Sequence, residues 1–169
     1  MDPLRATLLE ALALKDLPRA GWVRVGVRDP ESVAAHAWGV AWLVLALCPP
    51  GVDRGRALAI AVVHDLAEVR VGDLTPHDAV PPAEKERRER EAFRALAQPL
   101  PAEVRELHEE YVTGATAEGR FVRACDKLDM ALQAERYSAR QGLDLREFLS
   151  SALQRLEDPH LRALAVGGG

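Results

Sequence analysis

Residues 56–69 read RALAIAVVHDLAEV, and residues 31–47 read ESVAAHAWGVAWLVLAL. Neither run alternates with a period of two, and at helical spacing each is apolar nearly all round. Helices of that kind belong in the centre of an all-α domain, where every polar side chain needs a partner. At about 100° per residue, His64 and Glu68 share one face with Asp65 on its shoulder, all within an arc of roughly 100°. Ala57 and Ala61 continue that stripe with small side chains. An imidazole and two carboxylates left unpaired there would cost several kcal/mol. A metal ion removes that cost, because it favours the neutral imidazole and the ionised carboxylate. The competing reading is a hydrogen-bonded cluster with buried arginines. It suits a lone His-Asp pair better than the His-Asp-x-x-Glu cluster found here.

Two further polar groups sit in comparable settings. His36 lies among Ala35, Ala37, Gly39 and Val40. Asp126 lies in RFVRACDKLDMAL (residues 120–132), on the shoulder of a stripe made by Phe121, Cys125, Leu128 and Leu132. Asp129, three residues on, can face the same way. Spacing alone does not bring His36, His64, Asp65 and Asp126 together.

Proline, glycine and cap residues punctuate the rest of the chain. Asp2-Pro3 opens a helix to about Leu14, and Asp29-Pro30 supplies an N-cap and N1 proline for a helix ending at Cys48-Pro49. Asp53 caps a helix running to about Val69 and closing near Gly72. A proline-containing loop follows, then a charged helix from Ala83 to Ala97 with a solvated face. Pro101 opens the next helix, Thr116 caps a long one to Gly142, and segments 144–157 and 159–166 complete an all-α chain. The 169 residues fit a single domain spanning 1–169.

Composition narrows the function. With 48% hydrophobic residues and a net charge of −4, the chain reads as globular and carries no basic stripe for nucleic acid. The apolar run from Val33 to Leu47 is short for a bilayer and contains His36, so no membrane span is expected. An acid at position 2 and no small-residue cleavage site argue against a signal peptide. Cys48 and Cys125 form no disulfide framework and suit a reducing cytoplasm.

In order, His36, His64-Asp65 and Asp126 reproduce the H…HD…D signature of HD-domain phosphohydrolases. The segments 18–36 (PRAGWVRVGVRDPESVAAH), 62–76 (VVHDLAEVRVGDLTP), 81–92 (PPAEKERREREA) and 121–137 (FVRACDKLDMALQAERY) resemble the HD-domain-containing 5′-deoxynucleotidases. The likeness covers roughly residues 17–137. It implies one divalent metal held by His36, His64, Asp65 and Asp126, with Glu68 and Asp73 taking part in hydrolysis and Trp22 with Arg19 holding substrate. It also implies a homodimer. Gly21 stands where some relatives place arginine before the tryptophan, and Ala35 where relatives often carry an acid.

Two imidazoles and two carboxylates suit Mn²⁺, Co²⁺, Fe²⁺, Ni²⁺ or Zn²⁺ and lack the thiolates of a structural zinc site. The expected reaction is hydrolysis of a deoxynucleoside 5′-monophosphate. Other readings stay open at this point. They are an HD phosphohydrolase acting on a cyclic nucleotide, nucleoside triphosphate or alarmone, a two-metal HD oxygenase, and a non-catalytic nucleotide-binding protein. A second His-Asp dipeptide, His77-Asp78, stands in the loop DLTPHDAVPP and reads as exposed. His108 and His160, in charged or terminal contexts, read as surface residues.

Overall fold

The computed structural model describes residues 2–167, which form helices and connecting turns without a strand. The elements are α1 (Pro3–Ala11), a 3-10 turn (Leu12–Lys15), α2 (Ala20–Arg24), α3 (Val33–Leu47), α4 (Arg54–Val63), α5 (Glu68–Val71), α6 (Pro82–Leu96), α7 (Ala102–Thr113), α8 (Ala117–Gln141), α9 (Arg146–Leu153) and α10 (Pro159–Val166). None is long and apolar enough to cross a membrane.

Three side-chain caps fix the helices that carry the site. Ser32 Oγ accepts from the Ala35 amide at 3.1 Å, Asp53 Oδ1 from Arg56 at 3.0 Å, and Thr116 Oγ1 from Gly119 at 3.0 Å. Caps of this kind are worth about 1 kcal/mol each. The 25-residue α8 is the spine, packing against α3, α4, α7, α9 and α10. Val40 and Val44 of α3, Ile60 and Ala61 of α4, and Val122, Cys125 and Leu128 of α8 are fully buried between these helices. Each large apolar side chain so buried contributes about 1.5–3 kcal/mol. A smaller cluster, Trp22, Val27, Tyr137, Leu145 and Phe148, fastens α2 and α9 to the far end of α8.

Three expectations are corrected. The cap of α3 is Ser32, not Asp29, which has a φ of 51° in the left-handed region. The Gln141 side chain on α8 holds both the N–H (2.9 Å) and the C=O (3.0 Å) of Arg28 and turns the chain there before the helix can start. The helix expected from Asp53 to Val69 is broken. It stops at Val63 and resumes as α5 after a turn of i→i+3 hydrogen bonds, including Leu66 N–H to Val63 O and Glu68 N–H to Asp65 O. Finally, α3 is not buried on all sides. Trp38 (71% exposed), Trp42 and Leu45 form a stripe open to solvent on the side away from His36.

Candidate metal centre

Each imidazole has one nitrogen committed. His64 Nδ1 lies 2.8 Å from the Ala61 carbonyl, an acceptor only, so Nδ1 carries the proton. His36 Nδ1 lies 2.7 Å from Asp129 Oδ2, with the same consequence. In each neutral ring the Nε2 lone pair then faces inward. Both Nε2 atoms are buried and lack a hydrogen-bond partner. An orphaned buried acceptor costs about 1–3 kcal/mol, so two facing one space require an explanation.

The groups around that space supply it. Asp65 Oδ2 is 3.2 Å from His64 Nε2 and 3.6 Å from His36 Nε2, while Asp126 Oδ1 is 3.2 Å from His36 Nε2. The ligand atoms of His36, His64 and Asp65 lie within 4.8 Å of one another. The structure thus gathers the four residues expected as ligands from α3, the turn that follows α4, and α8. Two lone-pair nitrogens and two carboxylate oxygens at this spacing fit a divalent cation. Asp126 is steadied at its other oxygen by the Tyr111 hydroxyl (2.9 Å) and Lys127 Nζ (2.8 Å).

The charges respond to this crowding. Burial opposes ionisation of Asp65, but His64, Arg19 and His36 outweigh it and hold the carboxyl well below its usual range. Burial also opposes ionisation of Asp126, and Lys127 and His36 outweigh it. Without a cation, burial and the Arg19 charge push His36 down, yet Asp126 and Asp129 prevail and raise it to about 9, so a cation taking the Nε2 lone pair would first displace a proton from it. Glu68 behaves differently. Burial first, then the Asp65 and Asp73 carboxylates, push it well above the usual range, and its Oε2 is buried without a partner.

Beside the quartet opens a cleft of about 1280 Å³ lined by Arg19, Trp22, Glu68, Asp73, Lys85 and Phe148 among others. Arg19 is wedged between acids, with Nη1 3.2 Å from Asp73 Oδ1 and 3.7 Å from Asp65 Oδ2. Asp73 Oδ2 accepts from the Ala20 amide at 2.7 Å, so both of its oxygens are engaged. Gly72, at φ 78°, ends α5 and swings Asp73 into that position. Trp22 is 3% exposed, packed on Phe148 (ring centroids 4.3 Å apart) and Tyr137, with Nε1 donating to Glu31 at 2.9 Å. It forms a fixed wall rather than a mobile cover.

Outside the site, His77 and Asp78 are exposed, and Asp78 Oδ2 accepts from the Thr75 amide and hydroxyl within its own loop. His160 is exposed as well. His108 is not a surface residue. It is 4% exposed and stacked on Phe93 with centroids 3.7 Å apart, and burial pushes its pKa down to about 4. Sequence reasoning gave no role to Tyr111 or Lys127. The signal for Tyr111 was its place at i+3 from His108 and i+7 from Val104, the inward stripe of α7.

Comparison with known proteins agrees with this geometry. The HD domain family model matches residues 11–164. The human 5′-deoxynucleotidase HDDC2 is 38% identical over 154 residues, covering 88% of this chain and 76% of that protein. The crystal structure of the PH0347 protein from Pyrococcus horikoshii OT3 superposes with a TM-score of 0.77 at 34% identity, covering 95% of this chain and 92% of that one. A predicted metal-dependent phosphohydrolase from Magnetospirillum magnetotacticum MS-1 gives 0.76 at 29% identity, covering 97% and 88%. With a family model spanning most of its length and its His-Asp quartet gathered from α3, α8 and the turn after α4, this chain belongs to the HD-domain family.

Proposed function

We propose that the chain is a metal-dependent 5′-deoxynucleotidase, its residues 1–169 acting as one HD domain. The observation that carries this reading is the pair of buried, partnerless Nε2 atoms facing Asp65 and Asp126, joined to relatives named 5′-deoxynucleotidase. His36, His64, Asp65 and Asp126 would hold one divalent cation, with Mn²⁺, Co²⁺, Fe²⁺, Ni²⁺ and Zn²⁺ all compatible with the donor set. When bound, such an ion polarises the phosphoryl oxygens and makes a nearby water more acidic.

The chain's own groups do the rest. Arg19, oriented by Asp73, presents its guanidinium to the phosphate. Asp73 has both oxygens engaged, so its part in hydrolysis is to hold Arg19 in place. Glu68, whose Oε2 is buried without a partner beside the quartet, is placed to take and return a proton. The water oxygen bonds to phosphorus and Glu68 takes the water's proton. As the P–O5′ bond breaks, Glu68 returns that proton to the departing 5′ oxygen, releasing a deoxynucleoside and inorganic phosphate. Trp22, locked by Phe148 and Glu31, is the rigid wall proposed to exclude a 2′-hydroxyl. The exposed stripe of Trp38, Trp42 and Leu45 supports a homodimer, and two unpaired cysteines suit the cytoplasm.

The test is phosphate release from dAMP and AMP in the presence of Mn²⁺ or Co²⁺. Cleavage of dAMP is expected to exceed that of AMP by about one to two decades in kcat/KM. Equal efficiencies would remove the deoxynucleotidase assignment.

A further inference from the structure

The ring of His36 is gripped from both sides by one helix. On α8, Asp126 and Asp129 are one turn apart. Asp126 Oδ1 faces Nε2 at 3.2 Å, and Asp129 Oδ2 lies 2.7 Å from Nδ1. On α3, Gly39 follows His36 by one turn and is itself buried. A Cβ on Gly39 would lie 2.2 Å from Asp129 Oδ1 and 3.0 Å from its carboxyl carbon. No side chain other than hydrogen leaves room for that carboxylate. Glycine inside a helix costs about 1 kcal/mol relative to alanine, and here it opens the notch that admits Asp129.

The geometry points to Asp129, seated in the notch of Gly39, as the positioning residue that fixes the ring and tautomer of His36 and thereby sets the cation affinity of the site. This rests on the metal-site reading above. Glu31 lies close to both groups, its carboxylate within 4.8 Å of His36 and Asp129, but it accepts from Trp22 Nε1 instead. The hydrogen bond to Asp129 puts the proton on Nδ1, so that nitrogen has no lone pair for a second ion there. It also orients the ring and raises the basicity of Nε2, the atom turned toward Asp126 and Asp65.

The experiment titrates Mn²⁺ into the chelator-stripped full chain by calorimetry, with denaturant unfolding in chelator as a control. Asp129→Ala is expected to bind Mn²⁺ about 10–100-fold more weakly, the usual scale for losing such an outer partner. Its turnover should recover to near the wild-type rate once Mn²⁺ is saturating. Asp129→Asn, which keeps an acceptor oxygen, should fall between, and it carries the test if the alanine variant does not fold. Gly39→Ala should weaken Mn²⁺ similarly by displacing the carboxylate. The Gly39→Ala/Asp129→Ala pair should then bind no more weakly than Asp129→Ala alone, because both act through one contact.

Wild-type Mn²⁺ affinity in folded Asp129→Ala or Asp129→Asn overturns the proposal, as does an additive double variant. His36→Ala separates the two levels. If it loses Mn²⁺ while the Asp129 variants do not, only the positioning role is wrong. If His36→Ala itself binds normally, the metal site is wrong as well.

Discussion

His108 gives a quantitative test of the packing around the site. Its imidazole is stacked on Phe93 inside the α6–α7 contact, and burial lowers its pKa from 6.5 to about 4. A histidine with a depressed folded pKa takes up its proton more readily in the unfolded chain. Stability is therefore complete above pH 6.5 and is lost as pH falls toward 4. At about 1.4 kcal/mol per tenfold, the full loss is about 3 kcal/mol, of which about 2 kcal/mol has gone by pH 5. For a chain of this size that is a fall in Tm of about 4–8 °C. The substitution His108→Phe keeps a ring on Phe93 and removes the titration. Urea unfolding followed by circular dichroism, in chelator at about pH 7.5, 6 and 5, should show the wild type losing about 2 kcal/mol more than the variant across that range. The carboxylates with lowered pKa values, Asp65 and Asp126, lose their contribution mostly at lower pH, and they are common to both proteins. If His108→Phe retained the wild-type slope between pH 7.5 and 5, the argument from burial would be refuted.

Further tests address the site. Glu68→Gln should lower single-turnover phosphate release by about two to four decades with metal content unchanged. Loss of metal in that variant would make Glu68 a ligand instead. Because its folded pKa is raised, Glu68 destabilises the chelated protein as pH climbs above the unfolded value near 4.5. Glu68→Gln should therefore gain stability relative to wild type at pH 8 more than at pH 5, and an equal difference at both would contradict its buried placement. Asp126→Ala should abolish both activity and metal binding, while His77→Ala leaves both nearly unchanged, as read by elemental analysis. Full occupancy in the Asp126 variant would dissolve the quartet.

The fold class and most helix boundaries were legible because proline, glycine and cap residues act locally. Asp53, Thr116 and Gly142 mark the same ends in sequence and structure. The boundaries that were not legible depend on distant partners. Asp29 reads as a cap, but Gln141, more than a hundred residues away in sequence, turns the chain there. The break after Val63 follows from His64 donating to the Ala61 carbonyl, which no periodicity reports. His36, His64, Asp65 and Asp126 stood out because charge inside apolar helices is costly, whereas bringing them together needed the three-dimensional packing of α3 and α4 on α8. His108 was misread through its charged neighbours, although Val104, His108 and Tyr111 lie on one helical stripe. Spacing put Tyr111 and Asp129 on inward-facing stripes, but which site residues they touch, Asp126 and His36, came only with the packing of α7 and α3 on α8.

The wedging of Arg19 among acids has a consequence for how cation and nucleotide bind. Asp73, Asp65, Glu68 and Asp126 all act on this one guanidinium and hold it charged. At an effective dielectric of about 20, a phosphate charge about 6 Å from an ionised carboxylate meets a repulsion of roughly 3 kcal/mol. A divalent ion held by Asp65 and Asp126 would offset that repulsion beside Arg19. Nucleotide affinity is therefore expected to rise with the supply of divalent ion, so that the two ligands favour each other's binding.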